Sequence, residues 1–217
     1  MSTPLSRRLT PYTWFIVILG LLIAIVLFYR FESSEMQLSQ SSELRRMSVV
    51  PSFSFTERSG KTVSNQDLIG KIWVADFIYT TCPGPCPLIS ASMARVQNAL
   101  ANDPHVQLVS FTVDPEHDTP DVLAKYADQY GASPDHWWFL TGPKKPMRDL
   151  IQNGFLQVVE DNTGQPSQPG QFTIMHSTYM ALVDAEGNVR GFYDGVESDG
   201  RADLLRDIKV LEKEEKP

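Results

Sequence analysis

Cysteine and histidine are both scarce in this chain, which has two cysteines and four histidines among 217 residues. The two cysteines, Cys82 and Cys86, lie in a single hexapeptide, Cys-Pro-Gly-Pro-Cys-Pro. All of the thiol chemistry is therefore concentrated at one place. A structural zinc site usually needs four protein ligands. Because a full set of four is not evident in this chain, the pair of cysteines does not indicate zinc.

Basic residues are in deficit once the first 30 residues are set aside. The whole chain has 19 basic and 26 acidic residues and a net charge of −7. Three of the arginines, and none of the acids, precede residue 31, so the rest of the chain carries 16 basic and 26 acidic residues, a net −10. An acidic body of this kind argues against a nucleic-acid partner and is typical of a solvated surface.

Charge is absent from Tyr12 to Tyr29. As a helix this stretch would be about 27 Å long, close to the roughly 30 Å hydrocarbon core of a bilayer, so it predicts a single transmembrane helix. Arg7 and Arg8 precede it, which favours a cytoplasmic tail at residues 1–11 and an exported body. No small-residue cleavage site follows, so we interpret the segment as an uncleaved anchor.

Beyond the anchor, the composition divides the chain into a tether and one domain. Residues 30–50 are rich in Ser, Glu and Gln without sustained periodicity, which predicts a tether. Residues 51–217 are enough for one domain with a real core and contain no internal repeat. Residues 161–171 are too polar and too rich in Gly and Pro to pack.

The order of predicted elements indicates an α/β fold with a thioredoxin-like layout. Near-continuous apolarity from Ile72 to Tyr79 predicts a strand that is buried on both faces. The other predicted strands are 106–113, 137–140, 155–159, 173–183 and 188–193, and the predicted helices are 88–100, 120–130, 143–153 and 202–211. The last two strands should form a hairpin.

The cysteine loop follows the strand that begins at Ile72. Pro83-Gly84 suits the centre of a type II turn, with Gly84 at positive φ, and such a turn would bring the two cysteines together. Pro87 is favoured as a first helical residue, which would place Cys86 at the N-cap. Because a helix N-terminus stabilises a thiolate, we expect a reactive pair.

Three residues separate the cysteines, whereas redox enzymes of the thioredoxin type have two. The wider spacing suits a metal, since two thiolates bind Cu(I) well and an added imidazole makes an S₂N site that also accepts Cu(II). Among the histidines, His105, His117 and His136 are each most simply exposed or hydrogen-bonded loop residues. His176 opens the final hairpin, which in this layout lies beside the cysteines, and it is therefore the candidate third ligand.

Four motifs in chain order resemble those of the Sco/SenC family of membrane-anchored copper chaperones. They are Thr-Cys-Pro-Gly-Pro-Cys-Pro at 81–87, Val-Asp-Pro-Glu-His-Asp-Thr-Pro at 113–120, Trp-Phe-Leu-Thr-Gly at 138–142 and His-Ser-Thr at 176–178. The resemblance implies a thioredoxin-like domain that binds copper, as Cu(I) and Cu(II), through Cys82, Cys86 and His176. It also implies assembly of the copper-bearing subunit of a respiratory cytochrome c oxidase. We expect an inner-membrane protein with its domain in the bacterial periplasm, in preference to the mitochondrial intermembrane space.

Two positions depart from the family's common pattern, because Gly84 and Met175 stand where aspartates are often found. We expect Met175 to make a core contact, since neighbouring strand residues point to opposite faces. Within the second motif, Asp114 is most simply a structural residue, and the alternatives are a group that supports the site or a residue that docks a partner. Asp118 or Thr119 is most simply a helix cap.

An enzymatic function is the alternative. A thiol-disulfide oxidoreductase would use Cys82 and Cys86 as a redox-active pair to reduce the cysteines of an exported apo-oxidase or another partner. The three-residue spacing and the histidine found in place of a cis-proline argue against it, and a peroxiredoxin-like peroxidase lacks an assignable arginine. Metal delivery and thiol reduction are compatible, because receiving cysteines must be reduced. We therefore favour a metallochaperone and leave the enzyme open.

Overall fold

The structure is a computed structural model that describes residues 20–23, 25, 44–100, 103–156, 159–161, 172–174 and 178–214. The chain divides into two compact units, residues 1–43 and 44–217. In the first unit, residues 20–23 and 25 are helical. No helix within the described residues is long and apolar enough to span a bilayer. The predicted tail at 1–11 and most of the predicted transmembrane segment at 12–29 lie outside the described residues.

The second unit is built on an eight-stranded sheet, whose strands are β1 Ser48–Val49, β2 Ser54–Glu57, β3 Thr62–Ser64, β4 Ile72–Ile78, β5 Val106–Thr112, β6 Trp137–Thr141, β9 Tyr179–Val183 and β10 Asn188–Asp194. Their order in the sheet is β1-β10-β9-β4-β5-β6-β2-β3. Strands β4, β5 and β6 are parallel, and the other neighbours pair antiparallel. A separate two-stranded sheet pairs β7 Val159–Asp161 with β8 Phe172–Ile174.

Helices cover both faces of the large sheet, and each face has its own apolar core. The helices are α1 Pro85–Ala99, α2 Pro120–Gln129, α3 Lys144–Gly154 and α4 Ser198–Glu214. On one face α1, α2 and α4 pack against the sheet, and on the other α3 does so. A short 3-10 helix, Asn65–Leu68, precedes β4. This three-layer arrangement confirms the predicted α/β, thioredoxin-like class.

Strand β4 lies at the centre of the sheet and is buried along its whole length, as its composition predicts. Its side chains alternate between the two cores. Val74 and Ile78 face the helix α1 side, and Trp73 and Phe77 face the α3 side. This burial fixes the end of β4, from which the cysteine loop leaves.

Two predicted strands differ from those observed. Phe155, predicted to start a strand, closes α3 with φ −105° and ψ 5° because its ring is buried against Phe77 at 5.0 Å between centroids. The strand begins instead at Val159. Within the described residues, the long strand predicted over 173–183 contributes to two different sheets, as Phe172–Ile174 in the small sheet and Tyr179–Val183 in the large one.

Residues 44–50, at the end of the predicted tether, are packed onto the sheet. Strand β1 pairs with β10, and Val50 is buried. The guanidinium of Arg190, itself buried, donates to the carbonyl of Leu44 and pairs with Asp184 and Glu214. The chain thus enters the domain at the β9–β10 turn, next to the start of β4, since the Gly70 amide donates to the Ala185 carbonyl.

Candidate metal and thiol site

The cysteine loop begins where β4 ends and closes into helix α1. The Cys82 amide donates to the Tyr79 carbonyl at 3.2 Å, which makes a tight turn directly after the strand. Gly84 has φ −121° and ψ −113° and is the N-cap of α1, so the predicted type II turn with positive φ is wrong. The helix starts at Pro85, and Cys86 lies inside its first turn instead of at the N-cap.

Both cysteines are free thiols, and both are buried, at 7% and 5% exposure. They belong to the core on the α1 side of the sheet, together with Ile78 and Ile89. The residues between and after them are more open, because Pro83, Gly84 and Leu88 are exposed. The thiols therefore lie just beneath the surface, where a small ion or a partner's thiol can approach while bulk solvent is largely excluded.

The two thiols are electrostatically unequal. Burial disfavours a Cys82 thiolate, yet the Cys86 thiol, the backbone N–H groups of Cys86 and Gly84, and the Tyr79 hydroxyl all donate to its sulfur and lower its pKa. Burial raises the pKa of Cys86, and its hydrogen bond to Cys82 raises it further. The helix N-terminus thus stabilises the Cys82 thiolate, whereas the expectation placed this effect at Cys86.

Tyr79 is the residue after β4, and its hydroxyl is one of the two side-chain donors to Cys82. Burial, followed by the hydrogen bond to Cys82, raises the pKa of Tyr79 to about 12. The phenol therefore stays protonated at any physiological pH and remains available as a donor to a thiolate.

A buried carboxyl group, Asp76, lies on the face of β4 that is turned towards helix α1, where the cysteines also lie. Asp76 is fully buried; its Oδ1 accepts the Ser110 hydroxyl at 2.5 Å, and its Oδ2 has no hydrogen-bond partner among the described residues. The Trp137 indole donates to Ser110 at 2.8 Å. Burial raises the pKa of Asp76 to about 7 despite the Ser110 bond, and its charge raises the pKa of Cys86.

The loop after β5 carries Asp118, which the sequence assigned to capping a helix. Thr119 is the N-cap of α2 but makes no side-chain capping bond. Asp118 is instead fully buried, and its carboxylate accepts hydroxyl hydrogen bonds from Thr80 and Thr112, each at 2.5 Å. Sequence reasoning missed this contact because the partners are 38 and 6 residues away. The available signal was a threonine near the end of each of two neighbouring strands, Thr112 as the last residue of β5 and Thr80 two residues after β4.

Of the histidines considered as ligands, His117 is within the described residues and His176 is not. His117 is half exposed and its Nδ1 lies 3.2 Å from Asp118 Oδ1, as expected of a hydrogen-bonded loop histidine. His176 and Met175 lie outside the described residues. Within the described part of the chain, no cluster of three or more His, Cys, Asp or Glu is arranged to hold a metal ion.

The described chain resumes beside the cysteine helix. The Gly195 amide donates to the Thr178 carbonyl at 2.6 Å. A β-carbon at Gly195 would come within 2.7 Å of Ile89 Cγ1 and 2.9 Å of that carbonyl. Gly195 therefore lies next to both the Thr178 carbonyl and Ile89, which is one helical turn after Cys86.

A three-layer α/β domain with a cysteine pair between its central strand and a helix N-terminus defines a thioredoxin-like protein. The model of the SCO1/SenC family matches residues 41–211. The chain belongs to the SCO1/SenC family, and the resemblance seen in its motifs is confirmed.

Individual relatives agree with this assignment. The chain is 36% identical over 162 residues to the SCO1 protein homolog of Bacillus subtilis, covering 74% of this chain and 81% of the relative. It is similar to the structure of BsSco, a member of the Sco family of cytochrome c oxidase assembly proteins with an identified disulfide switch, at 33% identity and TM-score 0.65 over 78% of this chain and 97% of that one. It is also similar to copper-bound ScoI of Bradyrhizobium japonicum, at 27% identity and TM-score 0.60 over 73% and 98%.

Proposed function

We propose that this protein is a membrane-anchored copper chaperone that assists assembly of the copper site of a respiratory cytochrome c oxidase. Copper is its cargo, bound through the thiolates of Cys82 and Cys86 and the imidazole of His176. The observation that carries the proposal is the pair of free, buried thiols, one with a lowered pKa, between the central strand and the first helix of a SCO1/SenC domain.

The chemistry of the two thiols suits copper. Soft thiolates select Cu(I), and a buried site limits access of water and oxidants to the ion. Cys82 is prepared as the first ligand, because its thiolate is already stabilised by backbone and side-chain donors. Cys86 holds its proton in the metal-free protein, and copper binding would release that proton because a ligating thiol is deprotonated.

The position of Thr178 supports His176 as the third ligand. Two residues span at most about 7 Å, so His176 lies within that distance along the chain from Thr178. Thr178 is hydrogen-bonded to Gly195, which lies next to Ile89, three residues after Cys86. We expect the His176 imidazole to reach the thiols from this side, where it would add the nitrogen donor that favours Cu(II).

The relatives supply the partner and the cargo by analogy. A solved relative holds copper, and another belongs to a family of cytochrome c oxidase assembly proteins. We assign to this chain the same cargo and, as its partner, the copper-bearing subunit of the oxidase. The uncharged segment 12–29 would anchor it in the inner membrane, with residues 1–11 in the cytoplasm and the domain in the bacterial periplasm.

Copper titration of the reduced fragment from Glu32 onward tests the site. We expect one Cu(I) per chain, and one Cu(II) with a thiolate-to-copper charge-transfer absorption. Cys82→Ser and Cys86→Ser should each abolish tight binding of both ions, because one thiolate and one imidazole are too few donors.

His117→Ala is the matched control, because His117 is a half-exposed histidine that is hydrogen-bonded to Asp118 and is not a proposed ligand. It should bind one copper as the parent does. Tight binding of one copper by a variant that lacks both cysteines would show that the site is elsewhere.

Anchoring is tested separately, by fractionating cells that express the full chain or a chain lacking residues 1–30. We expect the full chain in the membrane fraction, with its domain open to added protease after the outer membrane is permeabilised. Recovery of the full chain in the soluble fraction would contradict the anchor.

A thiol-disulfide oxidoreductase remains the second candidate, favoured by the inequality of the two thiols. A low-pKa Cys82 beside a protonated Cys86 is the arrangement of an attacking and a resolving thiol. Rapid turnover on generic disulfide substrates, retained in His176→Ala, would place this activity first.

A further inference from the structure

A buried carboxylate on one loop holds the backbone of the other loop at the site. Asp118 Oδ1 accepts the Thr80 hydroxyl at 2.5 Å, and Oδ2 accepts the Thr80 amide at 3.1 Å. The same Oδ2 accepts the Thr112 hydroxyl at 2.5 Å. One carboxylate therefore receives both donors of Thr80 and ties them to the last residue of β5.

Thr80 occupies a decisive place in the chain. It lies two residues before Cys82, inside the turn that the Cys82 amide closes onto the Tyr79 carbonyl. Thr112 ends a fully buried strand, and its hydroxyl oxygen also accepts the Asp114 amide at 3.0 Å. A continuous set of hydrogen bonds thus runs from the rigid sheet to the residue where the cysteine loop begins.

The burial of Asp118 calls for a specific reason. Removing a carboxylate from water is costly unless hydrogen bonds replace its hydration. No Lys or Arg is among its described contacts, which include the half-exposed imidazole of His117, and the start of α2 receives no side-chain cap. The carboxylate therefore uses its acceptor capacity mainly for Thr80 and Thr112. The main effect of these hydrogen bonds is to hold the start of the cysteine loop against β5.

We propose that Asp118 is a positioning residue that fixes the start of the cysteine loop through Thr80 and thereby slows the loss of copper from the site. The copper half of this inference rests on the proposed function; the loop half does not. A loop held in place keeps both thiols in the geometry for one ion, so that neither swings away to begin release. The carboxylate acts through Thr80 and does not itself bind the ion.

The test uses the full-length chain with two readouts, amide hydrogen exchange of residues 80–82 in the reduced, metal-free protein and transfer of Cu(I) to a competing chelator. Asp118→Asn keeps the side-chain volume but removes one acceptor oxygen and the charge. We expect exchange at residues 80–82 and Cu(I) transfer each to accelerate about tenfold or more, as for loss of a charge-assisted hydrogen bond.

Thr80→Val removes the hydroxyl at constant shape, and it serves even if Asp118→Asn does not fold. It should accelerate both readouts by less than Asp118→Asn, because the backbone amide bond remains. Thr80→Ser should restore both. The double variant Asp118→Asn/Thr80→Val should accelerate amide exchange and Cu(I) transfer no more than Asp118→Asn alone does, since the two residues act as one unit.

Asp184→Asn is the matched control, because Asp184 is also a buried, multiply hydrogen-bonded carboxylate. It follows β9 and lies beside the start of β4, far from the end of β4 at which the cysteine loop begins. This variant should lower global stability and leave both readouts at the site unchanged. Unchanged exchange and transfer in Asp118→Asn, or equal acceleration in Asp184→Asn, would overturn the inference. If the parent chain bound no Cu(I), the proposed function would fail, and amide exchange alone would still decide the role of Asp118.

Discussion

Asp76 predicts an unusual dependence of stability on pH. The carboxyl is fully buried in the centre of β4, with one oxygen accepting the Ser110 hydroxyl and the other without a partner among the described residues. Burial raises its pKa from 3.8 to about 7. Asp76→Asn removes this titration while keeping the side-chain volume and one acceptor for Ser110.

The sign and size follow from proton linkage. Between pH 4 and pH 7 the unfolded chain has released the Asp76 proton and the folded protein still holds it, so stability falls as pH rises. Each pKa unit corresponds to about 1.4 kcal/mol. Because the folded carboxyl is already half titrated at pH 7, the rise from pH 5 to pH 7 costs the parent about 2 kcal/mol. The Asn variant escapes this loss, although its unpaired amide costs about 1 to 3 kcal/mol at every pH.

Urea unfolding of residues 44–217 under reducing conditions measures this difference. At pH 5 we expect Asp76→Asn to be the less stable protein, and by pH 8 we expect it to equal or exceed the parent. Asp121→Asn, at an exposed position in the first turn of α2, controls for general charge effects. Parallel stability profiles of the parent and Asp76→Asn between pH 5 and pH 8 would refute a protonated Asp76.

Three further predictions concern the thiols, the third ligand and the chain entry. Because Cys82 has the lowered pKa and Cys86 the raised one, iodoacetamide at pH 7 should modify Cys82 first, as peptide mapping would show; faster modification of Cys86 would reverse the assignment. His176→Ala should weaken Cu(II) binding much more than Cu(I) binding in competition titrations, since Cu(II) depends more on the imidazole, and equal losses would contradict that division. Arg190→Ala should lower the free energy of unfolding in urea by about 3 to 5 kcal/mol, because it leaves Asp184 buried without its cation; a loss below 1 kcal/mol would count against the pair.

The cysteine loop shows how far local sequence reaches. The apolar run before the cysteines predicted the central strand correctly to within one residue, because a strand that is buried on both faces is apolar along nearly its whole length. The same reasoning named Pro87 as the first helical residue, two residues too late, and chose the wrong turn. Pro85 and Pro87 are both compatible with a first helical turn, so the choice between them depends on how the chain leaves the sheet.

The buried carboxylates could not be identified in this way. Asp76 reads as one polar residue in an apolar strand, and Asp118 reads as a helix cap, because capping is a local motif and burial is not visible locally. Their partners, Ser110, Thr80 and Thr112, belong to neighbouring strands or to the loops that follow them. Only the parallel pairing of β4 with β5 brings these side chains together.

The sequence by itself determined the α/β class, the family and the identity of the two thiols, because these depend on composition, spacing and motif order. Tertiary structure decided which thiol is prepared for reaction. Although burial disfavours a Cys82 thiolate, hydrogen bonds from Cys86, Gly84 and Tyr79 lower the pKa of Cys82, whereas burial and the hydrogen bond to Cys82 raise the pKa of Cys86. These hydrogen bonds form only once the loop is folded against helix α1. Electrostatic interactions fall off with distance and depend on exclusion of water, so they are fixed by the fold and not by the order of residues.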